Sequence, residues 1–327
     1  MKRSQLFLSG LLAIAGLGLS VDALAGGRNP GSLLLFPEFD NRAGDVTVLT
    51  VTNTGSNEVD VEFMYIGIED HNGAPVNCEE FNRTATLTGN DTLTLLTRAH
   101  NPQQERGYVY VFAKSNGAPS VHNYLIGSAL VIDGIDNFDY SVNPVSFQGL
   151  GEDDGNGLRD LDGYEYEGAP GEILVPRFFG QAHEHDDDPS PFTSELILIG
   201  LTGGAAFNTT VDFQIYNDNE EMFSASHTFH CWEKTSLMNI SGVFSNHFLA
   251  NFTNQDGDEI VGASNYQSGW FSLHGHLANS TTTTLKDPAV YAVLIERANG
   301  VGVSDLPFEY GQNLSGSLLA RSNDGQY

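Results

Sequence analysis

Apolar and polar residues alternate with a period of two through much of this chain. In Val59-Asp-Val-Glu-Phe63 the residues Val59, Val61 and Phe63 fall on one side and Asp60 and Glu62 on the other, and Val211-Asp-Phe-Gln-Ile215 repeats the pattern. Successive side chains of a strand point to opposite faces, so this alternation predicts strands with one face buried. Further strands are predicted over 46–52, 84–88, 92–96, 108–113 and 125–132, all rich in Val, Thr, Tyr and Phe. Asn53-Thr-Gly55, Asn72-Gly73, Asn116-Gly117 and Asp133-Gly134 separate them and accept the positive φ of tight reversals. After residue 25 no segment sustains an apolar period of 3.6 residues. Many short strands must pack face to face or close on themselves to bury their apolar sides, so the expected fold is all-β, of sandwich type.

Laying the first half over the second reveals self-similarity. Gly31-Ser-Leu-Leu-Leu-Phe-Pro-Glu-Phe39 falls opposite Gly171-Glu-Ile-Leu-Val-Pro-Arg-Phe178, Cys78 opposite Cys231, Gly107-Tyr108 opposite Gly269-Trp270, and Ala129-Leu-Val-Ile132 opposite Ala292-Val-Leu-Ile295. Phe138-Asp-Tyr140 is set opposite Phe308-Glu-Tyr310. The spacings agree: 19 residues from Val59 to Cys78 against 20 from Val211 to Cys231. The reading is two tandem, sequence-related β-sandwich domains, jelly-roll or Ig-like, over 26–148 and 171–314. An acidic linker over 149–170, poor in apolar residues, joins them, and a polar tail follows over 315–327. In this frame Pro37 falls on Pro176, Trp270 reads as core because Tyr108 does, and Trp232 is the more exposed tryptophan.

Residues Met1 to Ala25 read as a secretory signal, with Lys2 and Arg3 at the start, an apolar stretch from Leu6 to Leu19, and Ala23-Leu24-Ala25 as a small-x-small cleavage site. Cleavage after Ala25 leaves a chain in which no stretch approaches the roughly 20 consecutive apolar residues of a bilayer crossing, so a secreted or periplasmic protein without a transmembrane anchor is expected. The opening Leu33-Leu-Leu-Phe-Pro-Glu-Phe-Asp40, followed by Val46-Thr-Val-Leu-Thr-Val-Thr-Asn-Thr54, is similar to that of uncharacterised secreted bacterial proteins. That resemblance implies a bacterial envelope or extracellular setting and no particular activity.

Charge narrows the choice of partners. With 42 acidic against 14 basic residues the formal net charge is −28, a field that repels nucleic-acid phosphates and anionic lipid. No nucleic-acid partner is therefore expected. A cationic partner, divalent metal ions or a salty environment suits this charge, with acidity that simply keeps an exported protein soluble as the alternative, and the partner expected is a protein or a glycan. Two cysteines in an exported chain predict a Cys78–Cys231 disulfide, with separate burial of each thiol in its own domain as the alternative. Near Cys231 lie His227 and His230, although proximity in sequence does not make a nucleophile and base. His183 and His185, within His183-Glu-His-Asp-Asp-Asp188, offer imidazoles among carboxylates that suit a transition metal, or else form a solvated acidic loop. His274 and His276 fall on one face if their segment is a strand.

Calcium is the candidate cofactor of the linker. Glu152, Asp154, Asn156 and Asp160 supply side-chain oxygens at positions one, three, five and nine of an EF-hand-like loop, and the carbonyl of Leu158 falls at position seven. Gly163 occupies position twelve, where a bidentate carboxylate belongs, so a self-repelling acidic tether competes with this reading. The metalloprotease, nucleophile-elbow and phosphate-loop motifs are absent. Seven Asn-x-Ser/Thr sequons, beginning at Asn82, Asn90 and Asn208, matter only in a glycosylating host. The sequence is thus read as a non-catalytic exported protein for binding or extracellular structure, with a secreted carbohydrate-active or carbohydrate-binding protein as the alternative.

Overall fold

The computed structural model describes residues 29–134, 136–152, 161–183, 190–201, 208–217, 219–254, 266–277 and 288–313. Its strands, numbered in chain order, are β1 (Leu33–Asp40), β2 (Val46–Asn53), β3 (Val59–Asp70), β4 (Pro75–Leu87), β5 (Thr92–Leu96), β6 (Gln104–Ser115), β7 (Ala118–Pro119), β8 (Leu125–Asp133), β9 (Phe138–Val142) and β10 (Val145–Phe147). They continue with β11 (Ala169–Phe179), β12 (Glu195–Gly200), β13 (Thr209–Asn217), β14 (Met222–Phe229), β15 (Trp232–Ser236), β16 (Ser268–Leu277), β17 (Val290–Ala298), β18 (Val301–Asp305) and β19 (Phe308–Asn313). Short helices are α1 (Thr97–His100), α2 (Leu237–Ile240) and α3 (Asn246–Phe252). The fold is all-β, with antiparallel sheets throughout. Among the described residues no helix is long and apolar enough to cross a membrane.

Four sheets result. Sheet I runs β10-β1-β6-β3-β4, with β7 beside β6, and sheet II runs β5-β2-β8-β9. Sheet III runs β14-β13-β16-β11-β19 and sheet IV β15-β12-β17-β18. Strand β1 packs on β2 and β8, which joins sheets I and II, and β11 packs on β17, which joins III and IV. Across the two halves β1 touches β12, β6 touches β15 and β9 touches β18. Burial follows from this stacking. All eight residues of β1 are buried, and β12 and β17 are buried on both faces along most of their length, as expected of strands enclosed from two sides.

A shared irregularity marks the first strand of each half. The register of β1 on β6 shifts between Phe36 and Phe39, at Pro37-Glu38, and that of β11 on β16 shifts between Val175 and Phe178, at Pro176-Arg177. Proline removes a ladder donor and is tolerated at such bulges, which re-aim the adjacent side chains. Opposite each bulge stands a glycine. A Cβ at Gly107 would sit 1.9 Å from the carbonyl of Ile66, and one at Gly269 2.2 Å from that of Tyr216.

Two of the sequence matches come apart. Phe138–Val142 pairs with β8 in sheet II, whereas Phe308–Asn313 pairs with β11 in sheet III, so the aromatic-acid-aromatic similarity joins strands in different sheets. Cys78 lies near the start of β4, close to the β3–β4 turn, whereas Cys231 follows the far end of β14. The matched spacing does not reflect matched positions, because the β3–β4 hairpin is longer than β13–β14.

Within the first half the hydroxyl of Tyr65 hydrogen-bonds Nδ1 of His100 at 2.8 Å, and Phe63 meets the imidazole edge-on at 4.9 Å. Burial, reinforced by Arg83, holds the His100 pKa below 6.5. As pH falls through 6.5 the unfolded chain takes up this proton before the folded one, so stability contributed by neutral His100 is present above 6.5 and lost below it. Urea midpoints between pH 7 and 5 should fall less steeply in His100→Phe than in the native chain, and equal slopes would exclude the assignment.

Candidate functional site

The seam between the halves concentrates the buried chemistry. Cys78 and Cys231 form a disulfide across it, at a sequence separation of 153. Trp232 donates its indole N–H to the carbonyl of Pro37 at 2.8 Å, and Lys234, two residues on, reaches both carboxylate oxygens of Glu38 at 2.9 and 3.3 Å. The β1 bulge thus turns a carbonyl and a carboxylate toward the second half. Glu38 is 1% exposed, and the hydroxyl of Tyr140 donates to its carboxylate while accepting from Lys234 at 3.1 Å. Glu195 stands 3.8 Å from the same ammonium. Burial pushes the Glu38 carboxyl up from 4.5 against the pull of Lys234. For Lys234 burial works against the ammonium, yet Glu38 and Glu195 outweigh it and hold its pKa above 10.5. At the other edge of the seam Arg297 lies over the ring of Phe138 and pairs with Asp136 at 3.0 Å. These groups fix the two halves against each other.

The bulge in the second half is used differently. Arg177 pairs with Glu296 of β17, inside its own half. The imidazoles near the disulfide also have partners: His227 meets Glu233 at 3.0 Å within the second half, whereas His230 bridges Asn208 at 3.0 Å and, across the seam, Asn77 at 2.7 Å. Cys231 is oxidised, so no thiol nucleophile is present there.

The outer face of sheet II is nearly free of charge. Strand β2 contributes Val46, Val48, Thr50 and Thr52, and β5 contributes Thr92, Thr94 and Leu96. Ile126, Ser128, Leu130 and Ile132 of β8 continue the surface, with Asp139 and Ser141 of β9 at its edge. The register stacks Leu96, Val48, Leu130 and Ser141 in one row, and Thr50–Thr94 and Thr52–Thr92 hydroxyl pairs at 3.1 and 2.9 Å tie neighbouring strands. Leu96 is 51% and Leu130 41% exposed. Of these side chains only that of Asp139 is charged, in a chain with 42 acidic residues.

Sheet III has an outer face of a different kind. Trp270 is 39% exposed, and Trp232 only 3%, the reverse of the expectation from sequence. Trp270 points away from the sandwich core, whereas Trp232 faces the seam. Tyr108, to which Trp270 was matched, is buried because its sheet is enclosed from both sides. His274 and His276 do share a face of β16, and both approach Asp212, at 4.0 and 2.9 Å.

The proposed metal ligands are only partly placed. His183 stacks on His247 at 5.7 Å between ring centres, and Glu152 donates its backbone N–H to the carbonyl of Tyr164 at 3.3 Å. His185, Asp154, Asn156, Leu158 and Asp160 lie outside the described residues. Among the described residues no three His, Cys, Asp or Glu side chains converge as a metal-holding group.

No family model and no curated protein matches this sequence. A solved structure described as the crystal structure of Thermotoga maritima 1070 aligns with 36% of this chain and 96% of its own, at 11% identity and a TM-score of 0.29, a likeness too slight to carry a functional argument.

Proposed function

We propose that this chain is an exported, non-catalytic protein of two related β-sandwich domains clamped into one body, and that its copies associate through the outer face of sheet II as an extracellular dimer. The relatedness is supported by strand order, since β1, β3, β4, β6 and β10 occupy in sheet I the places that β11, β13, β14, β16 and β19 occupy in sheet III. In the same way β2, β5, β8 and β9 answer to β12, β15, β17 and β18. The disulfide agrees with an oxidising compartment.

The observation that carries the reading is this nearly charge-free face. Exposed contiguous apolar surface marks interaction sites, and charged residues are depleted at the centre of interfaces. Elsewhere the net charge of −28 sets copies apart, so two copies approach most cheaply where that charge is missing. A face-to-face contact is isologous and closes at a dimer. Association should tighten with added salt, because salt screens the repulsion between the remaining surfaces and leaves apolar burial intact. Sedimentation velocity across a concentration series should show a dimer that Leu130→Asp abolishes. A monomer at every concentration and salt level would overturn the reading.

A further inference from the structure

We infer that the outer face of sheet III is a second, independent binding site, and that its ligand is a neutral polysaccharide. The site is built from two aromatic platforms and a set of polar side chains beside the first. On the first platform Tyr216 and Trp270, directly paired across β13 and β16, stack at 4.6 Å with 8° between their planes, and Met222, 62% exposed, continues the row on β14. On the second, Phe308 and Tyr310 stand exposed on β19. They share the face of Trp270, because Phe308 pairs with Leu174 and Leu174 with Ser272. Between Trp270 and Phe308 the register sets Ser272 and Leu174, with Glu172 beside Tyr310, while Gln214 and Asp212 flank Ser272 and His274 on the β13 side.

This arrangement selects its ligand by chemistry. A pyranose ring has an apolar C–H face and a rim of hydroxyls, so it meets both an aromatic surface and convergent hydrogen-bonding side chains. Gln214, His274 and the Asp212 carboxylate supply donors and acceptors for that rim. The Asp212 charge and the acidic field of the whole chain oppose uronic-acid and sulfated sugars, which leaves neutral ones. Two inter-strand spacings and two residues of rise put Trp270 and Phe308 about 12 Å apart, so only a chain of several rings engages both platforms. The corresponding stretch of sheet I shows what the same face looks like when protein covers it: Tyr108, Tyr110 and Phe112 form a fully buried aromatic ladder. On sheet III the row from Trp270 runs instead through Ser272 to His274, mixing aromatic and polar groups as a ligand site does.

Affinity electrophoresis and pull-down with cellulose, chitin, xylan and mannan, and with polygalacturonate as the acidic comparison, test this with the mature protein. At least one neutral polysaccharide should bind and polygalacturonate should not. Trp270→Ala should weaken binding by about tenfold or more, as expected for an anchoring aromatic, and Trp270→Phe should restore most of it. Thermal melting of each variant establishes that it is folded. No binding to any neutral polysaccharide, or undiminished binding by folded Trp270→Ala, would overturn the inference. Leu130→Asp, which lies on the other face, should bind as the native protein does, so failure of self-association and failure of this site are read separately.

Discussion

Replacing both half-cystines, in Cys78→Ser/Cys231→Ser, should lower stability by about 5 kcal/mol, the largest single effect in the molecule. A cross-link removes conformations from the unfolded chain in proportion to the logarithm of the loop it closes, and a separation of 153 residues is long. Both cysteines also occupy left-handed backbone, with φ of 53° and 52°. That costs an L-residue roughly 1 kcal/mol each and is sustained by the surrounding fold. At roughly 2 °C per kcal/mol for a chain of this size, the melting temperature should fall by about 10 °C. The same shift should follow when the native protein is reduced. A loss under about 1 kcal/mol, measured by denaturant titration, would mean that the seam is held by its noncovalent contacts alone.

Truncating one member of the buried ion pair should come next in size. Lys234→Met leaves Glu38 enclosed with only Tyr140 to satisfy it, and an uncompensated buried charge typically costs 3–5 kcal/mol, so a loss of about 4 kcal/mol is expected. The double variant Glu38→Leu/Lys234→Met should recover most of that loss, because apolar groups of similar volume replace a desolvated pair with little net change. The pair has a pH signature at the alkaline end. The folded-state pKa of Lys234 lies above its ordinary 10.5, so the stability it contributes is full below 10.5 and disappears as pH rises through the folded value. Denaturant midpoints above pH 10 should therefore decline more steeply in the native chain than in Lys234→Met. Equal alkaline slopes, or a double variant no better than the single one, would contradict the clamp.

Both variants bear on the partner surfaces as well. The outer faces of sheets II and III belong to different halves, and the contacts between the halves set their relative orientation. Weakening the seam should leave each face intact while loosening the geometry between them. Glycan retention through Trp270 is therefore expected to survive the loss of the disulfide at temperatures where both halves remain folded.

Local periodicity in the sequence was sufficient for the strand class, because alternation in Val59–Phe63 and Val211–Ile215 reports directly on a half-buried ladder. The two proline bulges and their facing glycines were visible as matched letters, although their meaning, a register shift with no room for a Cβ, appears only when the strands are paired. The cysteine pair was legible from composition and compartment, its placement was not: loop lengths differ between the hairpins, so equal spacing in sequence led to unequal points in space. The fates of Trp232 and Trp270 were decided by tertiary structure alone. Each sits on a strand face that a single sandwich would leave open, and packing of sheet I against sheet IV covers one and leaves the other in solvent. The same packing made Glu38 and Lys234, 196 residues apart, neighbours in a dry seam. Periodicity records which face of a strand is apolar, whereas the partner of that face depends on how the sheets of the two halves meet, a long-range event that leaves no period in the sequence.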